Sequence, residues 1–373
     1  MTDFPFDRLR RWPDVEAANL FASDATDRLL LDTAESEITT SLPGDVVVIG
    51  DRYGALTLGA AWAGATGIRV HQDELSGERA LGNNAIAMSV ADRYANLPLE
   101  ASAVDGARIV LLQLPRSLDA LAEIAESIAR HATADVTVYA GGRLKHMTTA
   151  MNEVFGRYFG SVTASRAHQK SRVLLVREPL APAGEPVWPA REFHEDLGLW
   201  VCAHGAAFAG TRVDIGTRFL LDFLDGLPAA DAAIDLGCGT GILATAVARA
   251  RPAMLVTATD QSAAAVASAH ETVSANGVAD RVRVVRDDGL SGWADASAEL
   301  ILLNPPFHVG ATVHAGIAGK LFDDAARVLK PGGELWTVWN SHLGYRSALE
   351  RTVGPTRQLG RNSKFTVTVS VKR

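Results

Sequence analysis

The chain has 373 residues, of which 47% are hydrophobic and 21% charged, a composition typical of folded globular proteins that excludes a largely disordered chain. Its length suits two domains, its two cysteines exclude a disulfide framework or a cysteine-rich metal site, and no apolar run reaches the roughly 20 residues that cross a bilayer. The first residues carry no basic region leading into an apolar stretch, which favours a cytoplasmic protein, and the net charge of −7 argues mildly against a nucleic-acid partner.

The first half of the chain alternates predicted strands and helices. A strand at Val46–Ile49 runs into the turn Gly50–Gly54 and an Ala-rich segment, and a second strand is predicted at Ile68–Val70. A third, Ile109–Leu112, ends in Gln113-Leu114-Pro115. This alternation predicts an α/β fold with a mostly parallel sheet and helices on both faces.

A Pro-rich stretch separates the two halves. Residues 177–190 contain four prolines, and residues 181–190 read as an interdomain linker between a domain at 1–180 and another at 191–373.

The second half opens with the same pattern. A predicted strand ends in Asp235-Leu236-Gly237-Cys238-Gly239-Thr240-Gly241 and an Ala-rich helix follows. Gly237 lies 187 positions after Gly50, and Asp260, at the end of the next strand, lies 187 positions after Asp73. We interpret this gapless match as a tandem duplication of one α/β unit.

The two copies differ where a ligand would bind. The first has Val48 in place of Asp235, and Arg52 in place of Gly239. A long side chain at a turn where a ligand approaches the backbone predicts that the first copy does not hold the same cofactor. We therefore expect the first copy to be a binding or scaffolding module.

The glycine loop can be compared with two kinds of cofactor site. A dinucleotide fingerprint needs a third glycine where Ile242 stands. The pattern from Asp235 to Gly241 instead resembles the S-adenosylmethionine loop of class I methyltransferases. Asp235 suits the ammonium of the cofactor's methionine, Asp260 suits its ribose hydroxyls, and the free N–H groups of a helix start suit its carboxylate. Cys238 is predicted to be a small loop residue and not a nucleophile.

A reaction site is predicted after the apolar run Leu300–Leu303, at Asn304-Pro305-Pro306-Phe307-His308. The Asn304 carbonyl and the Pro305 backbone carbonyl can accept the two N–H bonds of a planar amine and stabilise the charge that develops on its nitrogen. Phe307 can stack on a base that is unpaired or flipped out. His308 is predicted either to contact the substrate or to cap or pack a helix.

The order of these motifs is that of amino-directed methyltransferases. This motif order, the degenerate first copy and the segments 214–218, 342–345 and 362–365 together resemble the bacterial ribosomal RNA guanine-N2 methyltransferases of the RsmC/RlmG type. Segments 342–345 and 362–365 look closer to the large-subunit enzyme than to the small-subunit one. The resemblance covers nearly the whole chain. It implies two tandem Rossmann-like class I methyltransferase domains, the N-terminal one degenerate, with S-adenosylmethionine as cofactor, ribosomal RNA or a ribosomal subunit as partner, and a monomer with an internal pseudo-dimer.

The resemblance also implies roles for individual residues. Asp288, with Asp287 second, is the candidate for the adenine amino group. Asn304, Pro305, Pro306 and Phe307 are the catalytic candidates, and His308, Lys364 and Phe365 are the candidates for substrate binding. The cofactor candidates are Asp235, Gly237, Cys238, Gly239, Thr240, Gly241, Asp260, Gln261, Asp287, Asp288 and Asn304, and no metal is expected.

The acidic total does not exclude RNA because positive charge is concentrated in two places. Residues 141–173 contain six Lys or Arg against one Glu, and residues 331–373 contain seven against two. Both stretches fall at equivalent places in the two copies and are predicted to contact phosphates, although ordinary solvated arginines would give the same pattern. Two other functions stay open. One is methylation of the amino group of adenine or of a protein glutamine, and the other is a protein that binds S-adenosylmethionine and RNA without catalysis.

Overall fold

The structure is a computed structural model that describes residues 3–180, 182–306 and 311–373, the last range with side chains from 316 onward. The chain divides into two compact units, Met1–Trp188 and Pro189–Arg373. The segment before the boundary is tethered to the first unit, since Arg130 donates to the carbonyls of Pro182, Gly184 and Glu185, and Glu126 accepts the Val187 N–H.

The N-terminal unit is built on one seven-stranded sheet. Its strand order is β3-β2-β1-β4-β5-β7-β6, in which β3 through β5 are parallel and the β7 and β6 pairs are antiparallel. The elements are α1 (Ala25–Ile38), β1 (Val46–Ile49), α2 (Ala55–Trp62), β2 (Ile68–His71), α3 (Leu75–Ala87), β3 (Tyr94–Asn96), α4 (Ala101–Val104), β4 (Ile109–Gln113), α5 (Leu118–His131), β5 (Thr137–Arg143), α6 (Thr149–Gly156), β6 (Phe159–Ala164) and β7 (Ser171–Pro179).

The C-terminal unit repeats this sheet after a short antiparallel hairpin of β8 and β9. Its order is β12-β11-β10-β13-β14-β16-β15. The elements are β8 (Ala190–His194), β9 (Leu199–Ala203), α7 (Ile215–Leu221), β10 (Ala232–Leu236), α8 (Ile242–Ala250), β11 (Leu255–Asp260), α9 (Ala263–Ala275), β12 (Val282–Arg286), β13 (Ala298–Leu303), α10 (Ala311–Val328), β14 (Leu329–Asn340), α11 (Arg346–Thr352), β15 (Thr356–Arg361) and β16 (Phe365–Val371).

The identical strand order confirms the predicted fold class of two tandem Rossmann-like domains with mostly parallel sheets. The register extends the match to single residues. Ile49 pairs with Leu112 in the first sheet as Leu236 pairs with Leu303 in the second, so Gln113 and Asn304 are the next residues of equivalent strands. The central strands β1, β4, β10 and β13 are almost wholly buried because helices cover both faces of each sheet.

Each sheet has an apolar core on each of its two faces. In the C-terminal unit, one core holds Leu243, Val256 and Trp336 and the other holds Leu303, Phe322 and Leu335. The carboxyl ends of the parallel strands are left as an edge of loops, which is where open α/β sheets bind ligands.

No helix in the described ranges combines the length and the apolar composition that crossing a membrane requires.

Candidate active site

The glycine loop after β10 forms one wall of the carboxyl edge of the C-terminal sheet. Gly237, Gly239 and Gly241 all adopt positive φ angles, of 74°, 52° and 76°. A Cβ on Gly241 would lie 2.9 Å from the Ala269 Cβ of α9, whereas a Cβ on Gly237 or Gly239 would meet nothing within 4 Å. The loop therefore packs closely on one side through Gly241 and is open on the other, as close approach of a ligand to backbone requires. Cys238 and Thr240 are buried within the loop.

Asp235, the last but one residue of β10, is buried beneath this loop. Its Oδ2 accepts the Ala244 N–H in the first turn of α8 at 2.9 Å. Burial raises its pKa to about 7, with the charge of Asp260 adding to the effect. A carboxylate in this position would gain a compensating partner from a cationic ligand group.

Asp260 and Gln261 continue the site at the end of β11. The two carboxylate oxygens of Asp260 accept the N–H groups of Gly239 and Ser262, both at 3.0 Å, so that Asp260 joins the glycine loop to α9. The Gln261 Oε1 is buried and has no hydrogen-bond partner within the described residues. A buried acceptor without a donor is costly, and this atom is a candidate contact for a ligand.

The two acids after β12 have different surroundings. Asp287 organises its own loop, accepting the Asp288 N–H at 2.8 Å, the Ser291 hydroxyl at 2.5 Å and the Gly292 N–H at 3.0 Å. Asp288 forms an ion pair with Lys320 of α10 at 2.5 Å. A ligand could replace the half-exposed Lys320 as the partner of Asp288, whereas the Asp287 carboxylate is held by hydrogen bonds within its own loop.

Asn304 lies directly after β13, facing the start of α7. Its Nδ2 donates to Asp214 Oδ2 and to Thr217 Oγ1, both at 2.9 Å. Its Oδ1 is buried and has no hydrogen-bond partner within the described residues. If the amide were rotated by 180°, its oxygen would face the Asp214 carboxylate, and two acceptors would oppose each other. The contacts with Asp214 and Thr217 therefore fix the side-chain oxygen of Asn304 as the atom that faces a ligand.

Asp214 is a site residue whose role the sequence reasoning missed. A single oxygen, Oδ2, accepts the N–H groups of Gly216 and Thr217 and the Asn304 amide. Asp214 is the N-cap of α7, so one carboxylate both starts that helix and orients Asn304. The signal was present as the segment 214–218, which served only as a family marker.

Some of the remaining predicted site residues lie close to Asn304. A Cβ on Gly216 would lie 3.2 Å from both Asn304 Oδ1 and Phe365 Cε1, which shows that the Phe365 ring lies near the amide. Pro305 is buried, Pro306 is exposed, and Lys364 is exposed beside Phe365. Phe307 and His308 lie outside the described residues.

Together, these side chains form a site rich in hydrogen-bond acceptors and acids at the carboxyl edge of one sheet. The oxygens of Gln261 and Asn304 that have no partner among the described residues suit a ligand with N–H groups or hydroxyls, and the acids suit a ligand with a positive charge. No cluster of His, Cys, Asp or Glu that could hold a metal occurs among the residues the structure describes.

The fold and the position of this site define a class I methyltransferase. Two family models match, the Methyltransferase small domain over residues 198–369 and the RLMG N-terminal domain over residues 2–180. The chain belongs to the ribosomal RNA large subunit methyltransferase G family. A member from Streptomyces avermitilis is 35% identical to this chain, and the alignment covers 98% of this chain and 97% of that protein. A member from Shewanella amazonensis is 33% identical, and the alignment covers 98% of this chain and 96% of that protein.

Both units are similar to a solved structure, a T. thermophilus 16S rRNA N2 G1207 methyltransferase in complex with AdoMet and guanosine, with a TM-score of 0.72 and 21% identity. The match covers 94% of this chain and 92% of that one. The likeness supports the duplicated fold.

Proposed function

We propose that this chain transfers a methyl group from S-adenosylmethionine to the exocyclic N2 amine of a guanine in large-subunit ribosomal RNA. The observation that carries the proposal is the buried Asn304 Oδ1, which has no hydrogen-bond partner among the residues that the structure describes. The amide nitrogen of the same side chain is held by Asp214 and Thr217. An acceptor presented in this way selects a substrate that donates an N–H. The family relatives are named for ribosomal RNA, and the T. thermophilus enzyme is described with guanosine.

The cofactor would be held along the glycine loop. Gly237, Cys238, Gly239, Thr240 and Gly241 give backbone contacts, with Asp235 beneath them for the methionine ammonium. Asp260 would accept from the ribose hydroxyls. The adenine would be held by Gln261 Oε1, Asp288 and, second to it, Asp287. S-adenosylmethionine supplies an electrophilic methyl group carried on a sulfonium.

The chain's own contribution to the reaction is orientation and electrostatics. Asn304 Oδ1 and the Pro305 carbonyl would accept the two N–H bonds of the amine, so that its lone pair points toward the methyl group. Positive charge then grows on the nitrogen, and the two oxygens stabilise it. The extra proton passes to solvent, so no strong base is needed. Pro306 would stiffen the backbone, and Phe307 would stack on the base.

Substrate contacts beyond the amine are assigned to His308, Lys364 and Phe365. Phe365 lies near the Asn304 amide, and Lys364 is exposed next to it, where it can reach a phosphate. The N-terminal unit, residues 1–180 in the proposed division, would position RNA. We infer that the protein acts as a monomer in the cytoplasm, with the duplication serving as an internal pseudo-dimer joined by the linker 181–190.

Mass spectrometry of ribosomal RNA from cells with and without the gene tests the proposal directly. Loss of one N2-methylguanosine from the large-subunit RNA is the expected result. Loss of a methylated adenine, or of a methylated glutamine in a ribosomal protein, would reassign the substrate. An unchanged set of modifications, together with inactive purified protein, would favour binding without turnover.

A further inference from the structure

Asn340 lies close to Asn304 at the carboxyl edge of the C-terminal sheet. Asn304 directly follows β13, and Asn340 is the last residue of the neighbouring parallel strand β14. Leu303 pairs with Thr337, so Asn340 stands two residues further along its strand than Asn304 does along β13. The rise per residue and the spacing of strands then put the two Cα atoms roughly 8 Å apart. This distance is short enough for one planar base to contact both side chains.

The two asparagines also face the same side of the sheet. Leu302 and Val338 lie two residues before them and belong to the same apolar core, and side chains two apart along a strand point the same way. Phe365, of that core, pairs with Asn340 in the antiparallel register of β14 and β16. Because the Phe365 ring also lies near the Asn304 amide, one aromatic side chain adjoins both asparagines.

The Asn340 side chain has a fixed orientation. Its Oδ1 lies 2.7 Å from the Nδ1 of His342, and since an amide oxygen cannot donate, the imidazole nitrogen carries the proton. Asn340 precedes the short 3-10 helix Ser341–Leu343 but does not cap it through its side chain. The amide Nδ2 has no hydrogen-bond partner within the described residues. The oxygen and nitrogen ends of this amide are therefore set by His342, and its nitrogen is available to a ligand.

The turn that carries His342 is tied to β16. The Ser341 N–H donates to the Lys364 carbonyl at 2.8 Å, and the Ser341 hydroxyl lies 2.8 Å from that of Thr366. These contacts hold the backbone beside His342, so that its contact with Asn340 is part of an anchored turn.

The atom beside the reacting amine differs among the substrates that the Asn304 oxygen could hold. On the Watson–Crick edge of guanine, the N2 amine is followed by N1–H, a donor, and then by O6, an acceptor. In adenine the N6 amine is followed by N1, an acceptor. In a glutamine side chain the carbonyl oxygen, again an acceptor, lies beside the amide nitrogen. An oriented acceptor next to the Asn304 oxygen therefore selects guanine.

We propose that Asn340 recognises guanine in the substrate RNA through the N1–H and O6 edge of the base. Its Oδ1 has a second lone pair beyond the bond to His342, which accepts the N1–H, and its Nδ2 donates to O6. His342 is a positioning residue, because its Nδ1–H keeps the amide from rotating into the arrangement that fits adenine. The inference rests on the proposed function, since it takes the Asn304 oxygen to hold the N2 amine.

The N-terminal unit has a different residue at this place. Arg143 is the last residue of β5, the strand equivalent to β14, and the 3-10 helix Leu144–His146 follows it as Ser341–Leu343 follows Asn340. An arginine side chain cannot present an acceptor. The exposed His146 of the equivalent turn therefore supplies a control histidine outside the C-terminal site.

The test compares the binding of guanosine and 2,6-diaminopurine riboside to the full chain saturated with S-adenosylhomocysteine, the cofactor without its methyl group. Both nucleosides carry the 2-amino group, but the second has an acceptor at N1 and a donor at position 6. Calorimetric titration of the wild type should show guanosine binding about 10- to 100-fold tighter, the scale of one bidentate contact to a base.

Asn340→Ala should reduce this preference to about threefold or less, while S-adenosylmethionine affinity and Tm stay near the wild-type values. His342→Ala should reduce the preference about fivefold, mainly by tighter binding of 2,6-diaminopurine riboside, because the amide can then rotate to fit it. A purely structural role of His342 would weaken both nucleosides alike. His342→Gln keeps an N–H donor and should restore most of the preference.

The matched control is His146→Ala, which should leave the preference within about twofold of the wild-type value. A preference that survives in Asn340→Ala, or a wild type that binds both nucleosides equally yet prefers guanosine to inosine, would overturn the assignment of Asn340. A wild type that does not distinguish guanosine from inosine and methylates no RNA would instead remove the proposed function.

Discussion

The two units share one scaffold, and their differences separate what the fold needs from what the chemistry needs. In the C-terminal unit, the Asn304 amide donates to Asp214 and Thr217 at the start of α7. In the N-terminal unit, the Gln113 Nε2 donates to Asp27 Oδ1 in the first turn of α1 at 2.5 Å. The contact between strand end and helix has survived in both copies. Within the described parts of the chain, the Asn304 oxygen is a buried acceptor without a partner, and the Gln113 oxygen is not.

The capping of the helix after the glycine turn gives the same lesson. The Ala244 N–H is accepted by Asp235, and the N–H of its counterpart Thr57 is accepted at 2.6 Å by Asp51, three positions further along the turn than Val48. A buried N–H needs an acceptor. The first copy has no carboxylate at the position of Asp235 and uses Asp51 as the acceptor for the first turn of its helix. The ligand role that we propose for Asp235 is therefore separable from its contact with the helix.

The largest expected effect comes from the amide itself. Asn304→Ala should lower methyl transfer by about two orders of magnitude or more, the scale of losing one oriented polar contact in a transition state. Calorimetric titration should show S-adenosylmethionine affinity nearly unchanged. Gln113→Ala is the matched control and should leave turnover within about twofold. Comparable losses in both variants would mean that the amides serve the fold and not the reaction.

Removing the group that orients the amide should have the next largest effect. In Asp214→Asn, an amide can donate to the Asn304 oxygen, which allows that side chain to rotate, and kcat should fall about 10- to 30-fold with a smaller change in KM. Binding of guanosine and inosine gives a second readout. Wild type should prefer guanosine, whose amine inosine lacks, and the variant should lose this preference.

Thr217→Val and Thr217→Ser complete this test. Valine removes the hydroxyl, so kcat should fall about three- to tenfold, and serine should restore most of it. Equal thermal stability in both variants would show that the effect is on orientation. The positioning role of Asp214 would be contradicted if Asp214→Asn kept both its turnover and its guanosine preference while Asn304→Ala was impaired. The proposed role of Asn304 would still stand.

Much of the fold could be predicted from the sequence because its demands are local. Strands of consecutive apolar residues and turns that need positive φ, as at Gly237 and Gly241, leave marks in neighbouring residues. The gapless match between Gly50 and Gly237 then carried the prediction across the two units. The predicted position of Asn304 at the carboxyl edge followed from the apolar strand before it.

The parts that could not be predicted depend on contacts between distant residues. Asp214 and Asn304 lie 90 positions apart, and only the fold brings the carboxylate to the amide and fixes which amide atom is presented. The contact of Asp51 with the Thr57 N–H could not be predicted from Asp235, because the two carboxylates stand at different positions of the turn.

A pH dependence should separate the two helix-capping carboxylates. The pKa of Asp235 is raised to about 7, and a nearby ammonium would lower it, so cofactor binding favours the ionised form and releases a proton. S-adenosylmethionine affinity should therefore increase about tenfold from pH 6 to pH 8. Calorimetry in buffers of different ionisation enthalpy would detect the proton. Asp51→Asn, in the other unit, should leave this profile unchanged, and a flat wild-type profile would remove Asp235 from the ammonium role.

The smallest expected effect concerns Asp27 in the N-terminal unit, for which we propose no cofactor. Burial raises its pKa to about 7 from an ordinary value of 3.8. Between these values the folded unit binds more protons than the unfolded chain, so stability is greatest at low pH and falls as pH rises toward 7. In Asp27→Asn, the decline in Tm of the N-terminal transition between pH 5 and pH 8 should flatten by about 2 to 4 °C. Scanning calorimetry with added S-adenosylmethionine identifies the transitions, because the cofactor should raise only that of the C-terminal unit. An Asp27→Asn slope equal to that of wild type would show that Asp27 is ionised when folded, held so by the Gln113 amide and the Asp24 N–H.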